Sequence, residues 1–303
     1  MSPRRERLAV PPAEFTSYYG HPIVKPPTWK KPHVPLYLFL GGTAGASALL
    51  GVLADSTGRP AMRRVGRLVA AAGSSAGAGL LVHDLGRPER FLNMLRVFKP
   101  TSPLSVGSWV LAPFSGLSAA AAAAELTGRA STAGRLAAAG SAVLGPAMTT
   151  YTAVLLADTA APTWHESWRE LPFVFAGSAM TSAAGAALLL APPTETAPAR
   201  RVAVAGLAME LTAATRAERA HGLVSEPYRE GPAKRWLVAS RAVGLAGGLG
   251  AVLARNRLTT ALSGAALIAS ALCSRYGIFE AGLTSTRDPR YTVTPQRDRL
   301  TAP

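Results

Sequence analysis

Apolar and polar residues along this chain are sorted into blocks rather than interleaved. Long uncharged runs alternate with short arginine-rich connections. A membrane-crossing helix needs about 20 predominantly apolar residues. Runs at 34–54, 65–83, 105–125, 134–156, 171–191, 201–217, 236–254 and 258–279 meet that need. The pattern predicts an all-α integral membrane protein of eight transmembrane helices, with 1–33 and 281–303 outside the bilayer. The sixth run is the shortest and carries Glu210. Stretches such as "GGTAGAS", "AAGSSAGAG" and "GLAGGLG" suit lipid-embedded helices whose backbones approach closely.

Eight crossings place both termini on one side, face A, together with the loops near 83–104, 157–170 and 218–235. The opposite face, B, receives only "DSTGRPAMRRVGR", "ELTGRASTAGR", "APPTETAPARR" and "ARNR". These short links hold ten of the 32 basic residues and three of the 17 acids, which marks face B as cytoplasmic and face A as extracytoplasmic. "PLYLFLGGTAGASALL" at 35 echoes "PFVFAGSAMTSAAGAALL" at 172, and both runs enter from face A. That is the pattern of a parallel repeat of two four-helix units. Shared small-residue composition gives the same echo.

Composition narrows the class. Only 16% of the 303 residues are charged, against about a quarter in a soluble domain. The net charge of +15 sits between apolar runs, where it meets lipid headgroups. A nucleic-acid binder would gather it on one face beside stacking aromatics, so nucleic acid is not an expected partner. One thiol, Cys273, builds no disulfide framework, iron–sulfur cluster or cysteine zinc site. "MSPRRERLAVPPAEF" lacks the apolar stretch of a signal peptide, so the first apolar helix is expected to direct insertion.

Bis-histidine haem needs imidazoles facing each other across the bundle. His21, His33, His83, His165 and His221 all fall in face-A loops or at helix ends, so haem is not expected. What gathers on that side is polar and protic. His33 and Tyr37 start the first helix one turn apart, His83 and Asp84 close the second, and Tyr151 precedes Asp158 by two turns. Such groups suit the two carbonyl oxygens of a quinone headgroup beside an apolar tail path. They equally suit an interfacial aromatic belt and a helix cap. Glu210 and Arg241 lie at similar depth inside the bilayer, as a proton relay or as a structural ion pair.

The segment "HDLGRPERFLNMLRVFKPTSPLSVGSW" at 83–109 strongly resembles a loop of the NrfD/PsrC family, membrane subunits of polysulfide reductase-like molybdoenzymes. "YYGHPIVKPPTWKKPHVPLYLFLGGTAGASALL", "YTAVLLADTAAPTWHESWRELPFVFAGSA" and "RYGIFEAGLTSTRDPRYTVTPQRDR" resemble its first helix, its helix 4–5 junction and its closing segment. The resemblance implies eight or so helices without haem and a quinone site, for menaquinone or ubiquinone, near a face that meets a ferredoxin-like iron–sulfur subunit. That subunit would contact a molybdopterin catalytic subunit of the formate dehydrogenase, polysulfide or thiosulfate reductase kind. The family's quinone-contacting residues fall on His33, Tyr37 and Tyr151. Polysulfide reductase relatives carry Asn and His at the first two positions, so this chain departs at both while keeping hydrogen-bond donors. In the same resemblance the opening loop becomes a docking surface, with Arg87, Glu89, Arg90, Arg96 and Lys99 toward the iron–sulfur subunit and His83 and Asp84 beneath. Turns made by "GRP" and "TSP", with basic residues on lipid headgroups, account for part of the same loop.

Overall fold

The computed structural model describes residues 22–85, 87, 89, 93–129 and 131–301, and among them there is no strand. Arg90 and His21 lie outside the described residues. The helices are α1 (His33–Ser56), α2 (Pro60–Asp84), α3 (Pro103–Thr127), α4 (Ser131–Ala157), α5 (Pro162–Glu166), α6 (Leu171–Leu190), α7 (Ala197–Ala220), α8 (Glu226–Arg229), α9 (Gly231–Leu253), α10 (Arg257–Arg287) and α11 (Arg290–Thr301). Proline opens α2, α3 and α5 and stands second in α6, α7, α8 and α9, where its missing N–H removes nothing from the helix. Ser102 and Asn256 cap α3 and α10 by accepting from the Ser105 and Thr259 N–H. Gly128, at φ 66°, ends α3 in the left-handed region.

Seven helices, α1, α2, α3, α4, α6, α9 and α10, are long and apolar enough to cross a membrane. The eighth expected crossing exists as a 24-residue helix, α7, whose length suffices. Arg200, Arg201, Glu210, Arg216, Glu218 and Arg219 keep it below the apolarity of the rest. Element ends also differ from the apolar runs. Helix α2 starts five residues earlier, at Pro60, and α10 continues to Arg287. Intrahelical hydrogen bonds do not require apolar side chains, so the helices outrun the hydrophobic blocks. At 31 residues α10 is about 46 Å long, well beyond a hydrocarbon core of about 30 Å.

Helix α1 is the hub and packs against α2, α4, α6 and α10. Around it α2 meets α3, α3 meets α4, α6 meets α7 and α10, and α9 meets α10. The two echoed runs, now α1 and α6, lie side by side and parallel. Thr43 and Ser182 hydrogen-bond at 2.8 Å, and Ala46 packs with Ala179 and Ala183. The chain enters α1 and leaves α10 at one end, where Lys31 pairs with Glu280 and the Tyr276 hydroxyl reaches the Pro32 carbonyl.

Face B is stitched by the arginines of its short links. Arg63 grips Glu125 with two bonds of 3.1 Å and Asp55 with one of 3.2 Å. Arg67, 7% exposed, reaches the same two carboxylates at 2.8 and 3.1 Å. Arg257 donates to the Leu188 carbonyl at 3.1 Å and Arg200 to that of Ala254 at 3.0 Å. These cations satisfy a last-turn carbonyl of α6 and the carbonyl that follows α9, which have no partner within those helices.

Close backbone approach governs the crossings. A Cβ on Gly66 of α2 would lie 2.6 Å from the Gly51 Cα and 2.8 Å from the Ser47 carbonyl oxygen of α1. Gly79, on the same helix, has nothing within 4 Å. Gly66→Ala is therefore expected to destabilise the protein in detergent by about 1–3 kcal/mol, with Gly79→Ala unchanged or slightly stabilised. Denaturant unfolding of the two variants checks this.

Candidate functional site

Four helices bring polar and aromatic side chains together toward face A. His33 is the first residue of α1, and its ring centroid lies 4.7 Å from that of His83 at the end of α2, tilted by 58°. The Nδ1 of His33 is buried without a hydrogen-bond partner. One turn further, about 6 Å deeper along the axis, the Tyr37 hydroxyl hydrogen-bonds the Tyr151 hydroxyl of α4. Both phenols are buried, at 5% and 9% exposure. Two glycines make the space. A Cβ on Gly107 of α3 would come 2.6 Å from the Tyr151 ring, and one on Gly77 of α2 would touch the Tyr37 ring at 3.6 Å. Leu38, Leu111, Phe114 and Leu156 belong to the apolar cluster that holds both rings.

Aromatic and polar groups of the face-A loops brace this region. Trp29, just before α1, stacks on Trp164 of α5 at 5.9 Å, and Trp164 donates to the Ile278 carbonyl at 2.7 Å. Thr163 donates to the Val224 carbonyl at 2.9 Å, and Tyr228 to Ser167 at 3.2 Å. Burial holds the Tyr228 phenol above its ordinary range, so it stays a neutral hydroxyl donor.

Two candidates stand apart from the cluster. Asp84 closes α2 half-buried beside His83, as expected, whereas Asp158 is exposed. Asp158 lines a different cavity, of about 430 Å³, with His165, Tyr291 and Arg299. Although it follows Tyr151 by two turns, it lies about 10 Å nearer the surface, past the end of α4. The second departure concerns the buried ions. Arg241 pairs with Glu218 and not with Glu210, because its long side chain climbs toward the face-A rim and remains 35% exposed.

Glu210, 4% exposed, instead faces Ser274 and Arg275 of α10. Sequence reasoning passed over Arg275, one cation near the end of an apolar run. Its signal was that no proline or turn residue stops the helix before Pro289, which places Arg275 twelve residues inside α10. The guanidinium donates to the Phe175 carbonyl at 2.8 Å and lies 3.6 Å over the Phe175 ring. Glycine at position 42 gives it room, since a Cβ there would meet its Nη2 at 3.0 Å. Nε and Nη1 of Arg275 and Oε2 of Glu210 are buried without partners.

In the loop, Arg87, Glu89, Arg96 and Lys99 are exposed. Ser105 ties its far end to α3, accepting from the Lys99 N–H at 3.0 Å and donating to the Val97 carbonyl at 3.2 Å. Phe98, itself 53% exposed, meets the Trp109 ring edge-on at 5.9 Å. Among the described residues no group of histidine, cysteine and carboxylate side chains is arranged to hold a metal ion.

Seven apolar spans, packed on one of their number as a hub, define a multi-pass helical membrane protein. Its sequence matches the polysulfide reductase family of NrfD type over residues 15–288, and the chain belongs to that family. The match stops beside the last residue of α10, leaving α11 outside it. No match is found among curated protein sequences.

A double-substitution cycle distinguishes the two pairings of Arg241. Arg241→Gln with Glu218→Gln should show a coupling of about 0.5–1 kcal/mol, and Arg241→Gln with Glu210→Gln a smaller one. Unfolding free energies of the singles and doubles supply both values.

Proposed function

We propose that this chain is the haem-free membrane anchor of a molybdopterin oxidoreductase complex, exchanging electrons between an iron–sulfur subunit and the quinone pool. In this reading α7 also crosses the bilayer, making eight spans in two four-helix units, α1–α4 and α6, α7, α9 and α10. Exchanging the two units maps the Thr43–Ser182 contact onto an Ala46–Ala179 contact if the echoed runs are offset by 136 residues, and both contacts occur. Face A, with both ends of the helical array, is extracytoplasmic, because the arginines of the short links mark face B as the cytoplasmic side.

The observation that carries the reading is half-buried His33 above the buried Tyr37–Tyr151 pair, with an unpartnered imidazole nitrogen over two phenols. A quinone supplies a two-electron couple whose oxygens gain or lose protons. The residues present fit it. His33 offers Nδ1 as donor or acceptor depending on tautomer, and the Tyr37–Tyr151 pair has one hydroxyl proton to turn outward. His83, tilted against His33 and exposed, links that imidazole to face A and can replace its proton from water. Asp84 stands next to His83. Arg87, Glu89, Arg96 and Lys99, with Arg90 in the same loop, present mixed charge to a ferredoxin-like subunit above.

Turnover with a menaquinone analogue by the purified complex is the test. His33→Ala and Tyr151→Phe should each slow it by about tenfold or more, the worth of one hydrogen bond to a developing charge, while the subunits remain assembled. Unchanged turnover in both variants removes this site assignment.

A second reading, in which the subunit moves protons, is favoured by the unpartnered polar atoms of Glu210 and Arg275 inside the bilayer. Glu210→Gln should then abolish the pH change in proteoliposomes while electron flow continues. A pH change equal to that of the unsubstituted complex would reject it.

A further inference from the structure

The molecule has a second face-A groove that the quinone reading does not use. It lies between α6 and α7, on the outer wall of the helical array, and encloses about 680 Å³. Arg169 and Glu170 stand at its mouth just before α6, Phe173 follows in the first turn, and α7 contributes Arg216 and, deeper, Met209. From Ala220 at the rim to Met209 the groove descends eleven residues of α7, about 16 Å. It is therefore a slot running along the helix axes, charged at the top and apolar below.

Charge at the mouth is unbalanced. Glu170 is engaged by His221 at 3.2 Å. Arg169 lies over the Trp168 ring, 4.9 Å from its centroid, which holds the guanidinium at the rim without neutralising it. Arg216 is exposed and has no acidic partner among the described residues. Below them Phe173 is 58% exposed and Met209 37%, so the slot opens sideways toward lipid. Trp168, 56% exposed beside the mouth, is the kind of side chain that settles at headgroup level.

We propose that this groove is a binding site for an anionic phospholipid of the face-A leaflet. The phosphate sits between the guanidinium groups of Arg169 and Arg216, which match its geometry and charge. One acyl chain lies in the slot over Phe173 and Met209. Free phosphate has no use for the apolar slot, and a neutral headgroup has no use for two unpaired arginines. The lipid would fill the seam between α6 and the most polar long helix, α7, where bulk lipid packs poorly against charge.

The test uses the full chain with its accompanying subunits, delipidated in detergent and titrated while bound lipid is counted by native mass spectrometry. Phosphatidylglycerol should bind the unsubstituted protein about tenfold more tightly than the Arg169→Gln/Arg216→Gln variant. Phosphatidylcholine should bind both weakly and alike. Met209→Asp, which leaves the arginines in place and puts charge in the slot, should weaken phosphatidylglycerol as well. Because Arg216 is exposed and unpaired, Arg216→Gln alone serves where the double variant fails to fold, with a smaller loss in the same direction. Equal phosphatidylglycerol affinity in the arginine variants overturns the proposal. So does displacement of the lipid by inorganic phosphate, which would make the site a plain anion site, or by a menaquinone analogue, which would make it a second quinone site. None of these outcomes depends on whether His33 and Tyr151 act on quinone.

Discussion

Backbone-to-backbone contact between helices is the constraint from which the rest of this structure follows. Lipid supplies no hydrophobic drive for one helix to seek another, so association depends on how closely the chains approach and how well they interlock. Gly51 meets Gly66, Gly45 meets Gly145, Gly177 meets Gly206, and Gly185 meets Gly264. In the last three pairs a methyl group on either member would press into the partner's backbone, and in the first a methyl on Gly66 would. The first two pairs join α1 to α2 and α4, and the last two join α6 to α7 and α10. The array is thus fixed by residues that contribute almost no side chain.

Such packing leaves little interior volume, and the few large polar side chains occupy what glycines vacate. Tyr151 fits because residue 107 is glycine, and Arg275 because residue 42 is. The same economy gives the phenol pair its geometry. Tyr37 and Tyr151 come from helices that touch directly, α1 and α4, so their hydroxyls meet without an intervening layer. Apolar neighbours of the same cluster pack around both rings. A site assembled this way is preorganised by main-chain contacts rather than by a second layer of hydrogen bonds.

Most of the helical plan was legible because hydrophobic length is a one-dimensional property. All eight long helices overlap the apolar runs, and their alternation correctly brings His33 and the end of α10 to one face. Apolarity was less decisive for α7, whose charges at 210, 216, 218 and 219 crowd its face-A half. His33, Tyr37 and Tyr151 were legible through helical spacing and family resemblance, and the structure brings them together. Asp158 was misplaced because angular period says nothing of where a helix stops. The Glu210–Arg241 pairing failed for a related reason. Matching depth along two helices ignores the reach of arginine, which carries its charge several ångströms toward water.

Arg275 shows most clearly what sequence pattern could not supply. A cation deep in a bundle is expensive unless other groups receive it, and here the receivers come from three other helices. Phe175 gives a carbonyl and a ring face, Gly42 gives space, and Glu210 gives opposite charge. Glu210, Phe175 and Gly42 stand 65, 100 and 233 positions from Arg275 in the chain, so only the packing of their four helices assembles them. Nε and Nη1 still lack partners, as does Oε2 of Glu210.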